Sequence, residues 1–173
     1  GGTVRGKVCA GILEMEVQTM IDEKYYVAYG SNLNLEQMSH RCPTAQVVGA
    51  TTLHNWKLMF RGGSHSAVAT IEREVGGKVP VLVWKIQQQD ERSLDCYEGW
   101  PCLYRKETLR LTVDGYRIYA MAYIMNERNR PYGTPSDYYL ETIWMGYLSA
   151  GFDTRILQNA VTNSKEAAKW TQK

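Results

Sequence analysis

Two glycine-centred turns do most to limit what this chain can fold into. Residues 67–74 and 79–86, rich in β-branched and apolar side chains, flank Gly76-Gly77, and residues 103–113 and 116–125 flank Asp114-Gly115. A Gly-Gly or Asp-Gly pair between such runs is the strongest local signal for a β-hairpin, because the tight turn needs backbone of positive φ. Two such pairs predict a mostly antiparallel sheet. Ahead of Asp114, Leu109, Leu111 and Val113 share one face, and Lys106, Thr108, Arg110 and Thr112 take the other, so this strand is wet on one side. After Gly115, Ile118, Ala120, Ala122 and Ile124 oppose Tyr119, Met121 and Tyr123, so this strand is apolar on both faces and is expected to be central.

The other elements follow from punctuation. Residues 25–29 (YYVAY) read as a strand ending in the turn formers Gly30-Ser31-Asn32, with a helical turn or two over 33–39. Strands are expected at 47–53 and 56–60, and a helix at 88–98, stopped by Gly99 and Pro101. Residues 126–133 read as a loop. Ser136 is a natural N-cap for a helix over 137–149, with Leu140, Ile143, Trp144 and Tyr147 on one stripe and Gly151 beyond its end. By this helical spacing Trp144, Met145 and Tyr147 belong to the core rather than to a dimer surface. A short helix over 152–161 and a frayed polar tail over 163–173 complete the reading. Residues 1–24 show no period and lack the apolar core of a secretion signal. They read as a leader or expression remnant, with Met20 a candidate start and the domain over 25–162. The expectation is an α+β fold: six or seven mostly antiparallel strands closing into a small barrel, with flanking helices.

Composition removes several function classes. The chain has 173 residues and a net charge of +2, so nothing suggests the clustered basic face of a nucleic-acid binder. Runs such as 79–84 are far too short to span a bilayer. Cys9, Cys42, Cys96 and Cys102 include no Cys-x-x-Cys pair, and His40, His54 and His65 have no ligand spacing. Reduced thiols in a cytoplasmic protein, with no metal, is the simplest reading. Neither a Gly-x-Gly-x-x-Gly nor a P-loop pattern occurs, and Ser64-His65-Ser66 lies in a loop without a nucleophile elbow. Asp90, Glu91, Glu72 and Glu74 read as solvated charges. Tyrosine stands out, with twelve against two Phe. Such a chain can line a polar pocket or build half-exposed strands, and composition does not choose between them.

Two stretches can carry chemistry. Tyr29-Gly30-Ser31-Asn32-Leu33 joins a strand to a helix start, and such a turn directs backbone N–H groups one way, toward an anion or oxyanion. It can equally be an ordinary turn with Asn32 as cap. Glu98 ends the helix over 88–98, where free carbonyls oppose a negative charge by roughly 0.3–1 kcal/mol. If Tyr97, Trp100 and Tyr104 bury it, its pKa rises and it becomes a base suited to neutral pH; otherwise it is an exposed glutamate at a helix stop.

The two stretches together, YGSNL at 29–33 and LDCYEG at 94–99, resemble the γ-glutamylcyclotransferase family. Pro101 to Tyr104 with Arg105, Ala122-Tyr123, and Pro135-Ser136-Asp137-Tyr138-Tyr139 followed by Ile143 and Gly146 extend the resemblance over roughly 25–155. Asn32 departs from the loop of glutathione-specific relatives. The resemblance implies a small barrel without cofactor that releases 5-oxoproline from a γ-glutamyl compound, a lyase or acyl-transferase type of chemistry tied to glutathione metabolism. It implies Glu98 as general acid/base, with Tyr29, Gly30, Ser31, Asn32, Leu33, Tyr104, Tyr123 and Tyr139 around the substrate. The partner is then a small γ-glutamyl molecule, with neither nucleic acid nor membrane, on a monomer or homodimer. A γ-glutamylamine cyclotransferase, a natural-product deprotecting relative and a non-catalytic ligand-binding barrel are the alternatives.

Overall fold

The computed structural model describes residues 23–171. Apart from residues 23 and 24, the expected leader lies outside that range. Five strands and four helices run in the order β1 (Lys24–Ala28), α1 (Leu35–Arg41), β2 (Gln46–Arg61), β3 (Val68–Ile86), α2 (Gln88–Glu98), β4 (Tyr104–Val113), β5 (Tyr116–Met125), α3 (Asp137–Ala150) and α4 (Thr154–Thr171). A 3-10 turn over Ser31–Leu33 links β1 to α1. The sheet order is β2-β3-β1-β5-β4, antiparallel except for β1 beside β5.

The Asp114-Gly115 hairpin forms as expected. Both turn residues have positive φ, 49° and 82°, and Val113 pairs with Tyr116. On β4, Leu109, Leu111 and Val113 are buried while Thr108, Arg110 and Thr112 are exposed. β5 lies between two strands, with its buried residues concentrated in its second half, from Ala120 to Met125.

The Gly76-Gly77 hairpin does not form. β3 runs straight through the pair for 19 residues, and β2 is one strand of 16 residues where two were expected. The ladder steps from His54–Lys78 to Trp56–Arg73, so Asn55 faces a four-residue bulge. Asn55 has φ 65°, Gly76 has φ 79°, and Gly76 N–H donates to Asn55 Oδ1 at 3.0 Å. A glycine pair supplies the same backbone freedom to a bulge as to a turn. The β2–β3 reversal falls instead at 62–67.

Merging the strands also explains why the sheet stays open. Five strands close only partly, and β2 and β4 remain edges without a ladder between them. They meet through a side chain, as Thr51 Oγ1 donates to the Thr112 carbonyl at 2.7 Å.

The helices cover this sheet. Ile143 and Tyr147 of α3 are buried, with Leu140 and Trp144 packed beside them, whereas Met145, expected in the core, is exposed on the outer face of the helix. Residues 163–171 are not a frayed tail but the second half of α4. Ser164 is fully buried there, accepting from Phe60 N–H at 2.9 Å and donating to the Ala160 carbonyl at 2.7 Å. That bond fastens α4 to β2, and the charged side chains of the segment line the outer face. Three of the four acids expected in solvent are shielded from it and held by partners instead, Glu91 by Lys24 and Lys106 at 2.7 and 2.8 Å. Asp90 is buried and accepts from Thr44 Oγ1 and Gln87 N–H at 2.6 and 3.0 Å, and Glu72 binds Arg61 and Tyr132 at 2.6 and 2.8 Å.

Candidate active site

The two stretches singled out in the sequence converge on one cavity of about 230 Å³. It opens where the end of β1, the 3-10 turn, the end of α2 and the first residue of β4 come together. The wall includes Tyr29, Gly30, Ser31, Asn32, Glu98, Tyr104, Tyr123 and Tyr139. Of the expected site residues only Leu33 lies elsewhere. It is fully buried against α3, where a Cβ on Gly146 would stand 2.6 Å from the Leu33 Cβ.

The loop owes its position to local chemistry and to α3. Leu33 N–H donates to the Gly30 carbonyl and Asn34 N–H to the Ser31 carbonyl, both at 3.0 Å, closing the 3-10 turn. Asn34, not Asn32, caps α1 by accepting from Gln37 N–H at 3.0 Å. Asn32 is thereby released from capping. Its amide donates to Tyr26 Oη at 2.8 Å and to Glu98 Oε1 at 3.2 Å.

Glu98 sits at the last position of α2, and Gly99 in the left-handed region ends the helix. Its carboxyl faces into the cavity. Burial pushes its pKa from 4.5 to about 7, and the nearby Arg41 guanidinium pulls the other way. The aromatic residues expected to enclose it are only partly the right ones. Trp100 is 43% exposed and carries Lys106 over its ring at 4.3 Å, outside the cavity. Enclosure comes from Tyr26 and Tyr29 on and beyond β1, Tyr104, and Tyr139 of α3, with Tyr97 beside the carboxylate.

Most of these hydroxyls already have protein acceptors. Tyr29 donates to the Tyr123 carbonyl at 2.5 Å, Tyr123 to Asp95 Oδ1 at 2.5 Å, and Tyr104 to the Ala69 carbonyl at 2.6 Å. Tyr139 differs, because its oxygen accepts from Ala69 N–H at 3.0 Å and its hydroxyl also lies in hydrogen-bond reach of the Ser31 side chain. Tyr26 likewise accepts, from Asn32. Burial raises the pKa of Tyr26, Tyr29, Tyr104, Tyr123 and Tyr139, so all five remain neutral phenols.

Two contributors, Tyr26 and Arg41, have no motif in the sequence. Tyr26 is one of the adjacent pair Tyr25-Tyr26, and strand alternation alone does not say which of the two turns inward. Tyr97 stacks under Arg41, whose guanidinium lies 3.4 Å from the ring centroid. Arg41 also donates to Asn32 Oδ1 and, at 3.2 Å, to Gln37 Oε1.

A sequence model of the family described as "Gamma-glutamyl cyclotransferase, AIG2-like" matches residues 26–142, the span that holds every wall residue of this cavity. The chain belongs to that family. Human gamma-glutamylcyclotransferase is 32% identical over 130 residues, 70% of this chain and 68% of the human protein. The mouse protein of the same name is 31% identical over 147 residues, 80% of this chain and 75% of its own. A solved gamma-glutamyl cyclotransferase superposes with a TM-score of 0.71 at 28% identity, over 80% of this chain and 86% of that one. These relatives make the chain an enzyme of the γ-glutamylcyclotransferase type. YkqA from Bacillus subtilis, with a TM-score of 0.68 at 18% identity, shares the fold alone. Among the described residues no helix is long and apolar enough to cross a membrane, and Cys42, Cys96 and Cys102 are free thiols.

Proposed function

We propose that this γ-glutamylcyclotransferase releases 5-oxoproline from a γ-glutamyl compound through an intramolecular reaction managed by Glu98. The observation that carries this reading is a carboxyl with a pKa near 7 inside a cavity walled by neutral phenols and a glycine turn. A base poised near neutrality can take a proton and return it within one turnover.

The reaction balances without water or cofactor. The substrate's α-ammonium gives a proton to the Glu98 carboxylate. The freed amine attacks the γ-carbonyl carbon, forming the C–N bond of a five-membered ring. The tetrahedral oxyanion collapses, the bond to the leaving nitrogen breaks, and Glu98 returns the proton to that nitrogen. The ring nitrogen, which carries an extra proton after its attack, gives that proton up through Glu98 to the released amine, so the products are the neutral lactam and an ammonium. Holding the γ-glutamyl chain curled supplies much of the acceleration, since the nucleophile is already on the substrate. Backbone N–H groups of Gly30, Ser31 and Asn32 receive the substrate's carboxylate or the developing oxyanion. Tyr139, whose hydroxyl lies beside Gly30 and Ser31, is a second candidate donor; Tyr29, Tyr104 and Tyr123 shape the wall, their hydroxyls bound to protein acceptors.

The test is 5-oxoproline release from γ-glutamyl amino acids, glutathione and γ-glutamyl amines, with Glu98→Gln beside the wild type. The expected result is release by the wild type and at least a hundredfold loss in a folded variant, with the best substrate naming the leaving amine. A folded Glu98→Gln protein with wild-type turnover would refute the role given to Glu98.

A further inference from the structure

We infer that Arg41 is a positioning residue for Glu98: by holding the amide oxygen of Asn32, it fixes which end of that amide faces the carboxylate. The inference rests on the function proposed above and adds to it a residue outside both sequence motifs.

A primary amide is two-sided, with an acceptor oxygen and a donor NH2, and a half-turn of the side chain exchanges them. Asn32 sits between a cation and an anion. Its oxygen accepts from Arg41 Nη1, while its nitrogen donates to Glu98 Oε1 at 3.2 Å and to Tyr26 Oη at 2.8 Å. In the turned-over orientation the oxygen would face a carboxylate and the NH2 a guanidinium, a poor match at both ends. Arg41 is itself held on two sides, by Gln37 Oε1 one helical turn back at 3.2 Å and by the Tyr97 ring at 3.4 Å. Tyr97 is the immediate neighbour of Glu98 in α2, so the stack ties α1 to the end of the helix that carries the base.

The groups facing Glu98 from the surrounding elements are phenols: Tyr26 of β1 and Tyr29 just past it, Tyr104 of β4, Tyr139 of α3 and Tyr97 of its own helix. Asp95 and Lys106 pair with each other at 2.7 Å beyond Tyr123. Against burial, the charge that favours the ionised Glu98 is that of Arg41. Removing Arg41 deletes that cation and frees the amide to turn its oxygen toward a protonated carboxyl. Both effects favour the protonated acid. The proton-accepting form is then reached only at higher pH.

The experiment compares wild type, Arg41→Met and Arg41→Lys by two readouts. One is the pH profile of kcat/KM for 5-oxoproline release. The other is the carboxyl titration of Glu98 by 13C NMR on protein labelled at glutamate Cδ, assigned with Glu98→Gln. In Arg41→Met the acid limb and the titration are expected to move up by about one pH unit. That is roughly a tenfold loss at pH 6 with recovery to near wild type by pH 9. Arg41→Lys keeps a cation and a donor and is expected to stay within a few tenths of wild type. A titration unmoved in Arg41→Met, or a rate loss equal at every pH, overturns the inference. Arg41→Gln serves in the same way if the methionine variant does not fold. The titration needs no turnover, so it judges the Arg41–Glu98 link even if no substrate in the panel is cleaved.

Discussion

Replacing Glu98 by Gln should stabilise the fold, and the gain should depend on pH in a way that the site geometry sets. A glutamine resembles the protonated carboxyl in size and can still accept from Asn32. In the folded protein, burial holds Glu98 near pKa 7, against an ordinary value of 4.5 in the unfolded chain. The sign follows from linkage: the unfolded chain gives up this proton more readily, so ionisation favours unfolding. Below pH 4.5 both states are protonated and Glu98 costs nothing. Between 4.5 and 7 the folded state loses ground as pH rises, and beyond about 7 the loss is complete. At about 1.4 kcal/mol per pH unit of separation, the full penalty is about 3 kcal/mol. Solvent reaching the mouth of the cavity trims this to about 2 kcal/mol. Urea unfolding of wild type and Glu98→Gln at pH 4.5, 6, 7 and 8 reads it directly. The two proteins should match at pH 4.5, separate by pH 7 and stay about 2 kcal/mol apart at pH 8, with unchanged m-values. Other ionisable groups are shared and largely cancel in the difference. Parallel stability curves across this range would refute the buried-acid argument, and a gap opening toward acid would mean that the fold favours the carboxylate.

Gly146→Ala should destabilise by about 2 kcal/mol, because the new methyl would stand 2.6 Å from Leu33 Cβ and 3.0 Å from Asn34 N in the turn after β1. Thermal unfolding measures the cost, and a raised KM would report the displaced Gly30–Asn32 loop. Ser164→Ala should cost about 1–3 kcal/mol by leaving the buried Phe60 N–H without its acceptor. Denaturant unfolding checks that value, and a neutral result would mean that α4 is not fastened there. The kcat/KM of the wild type should rise with pH through about 7 as Glu98 ionises. A rise centred near 4.5 would place the working carboxyl in open water.

What the sequence reveals depends on how far away the deciding contact lies. Asp114-Gly115 is legible because its turn is decided within four residues, and both φ values come out positive. Gly76-Gly77 carries the same local information but faces Asn55 across the ladder, and only that partner turns a hairpin signal into a bulge. The length of α4 is hidden for the same reason. Its polar second half looks like a tail until Ser164 is seen to hold Phe60 N–H from another element. At the site, Glu98 and the Gly30–Asn32 turn are legible as short motifs. Arg41 is not, because its meaning arises only where α1 meets α2: one bond to Asn32 and one ring, Tyr97.

That contact also bears on the acid–base role proposed for Glu98 within an aromatic-rich wall. A purely apolar pocket would push a carboxyl so far up that it no longer ionised at neutral pH, while a solvated one would leave it near 4.5, too weak a base for an ammonium. Here the phenol rings exclude water, yet Tyr29, Tyr104 and Tyr123 spend their hydroxyl protons on Tyr123 O, Ala69 O and Asp95 rather than on Glu98. Desolvation therefore acts almost unopposed by the walls. The counterweight is the charge of Arg41, which also holds the far end of the Asn32 amide that donates to the carboxylate. Burial and the Arg41 charge act on this acid with opposite sign. A phenol-to-Phe change that leaves the ring in place should barely move the Glu98 titration, while loss of the guanidinium should move it upward.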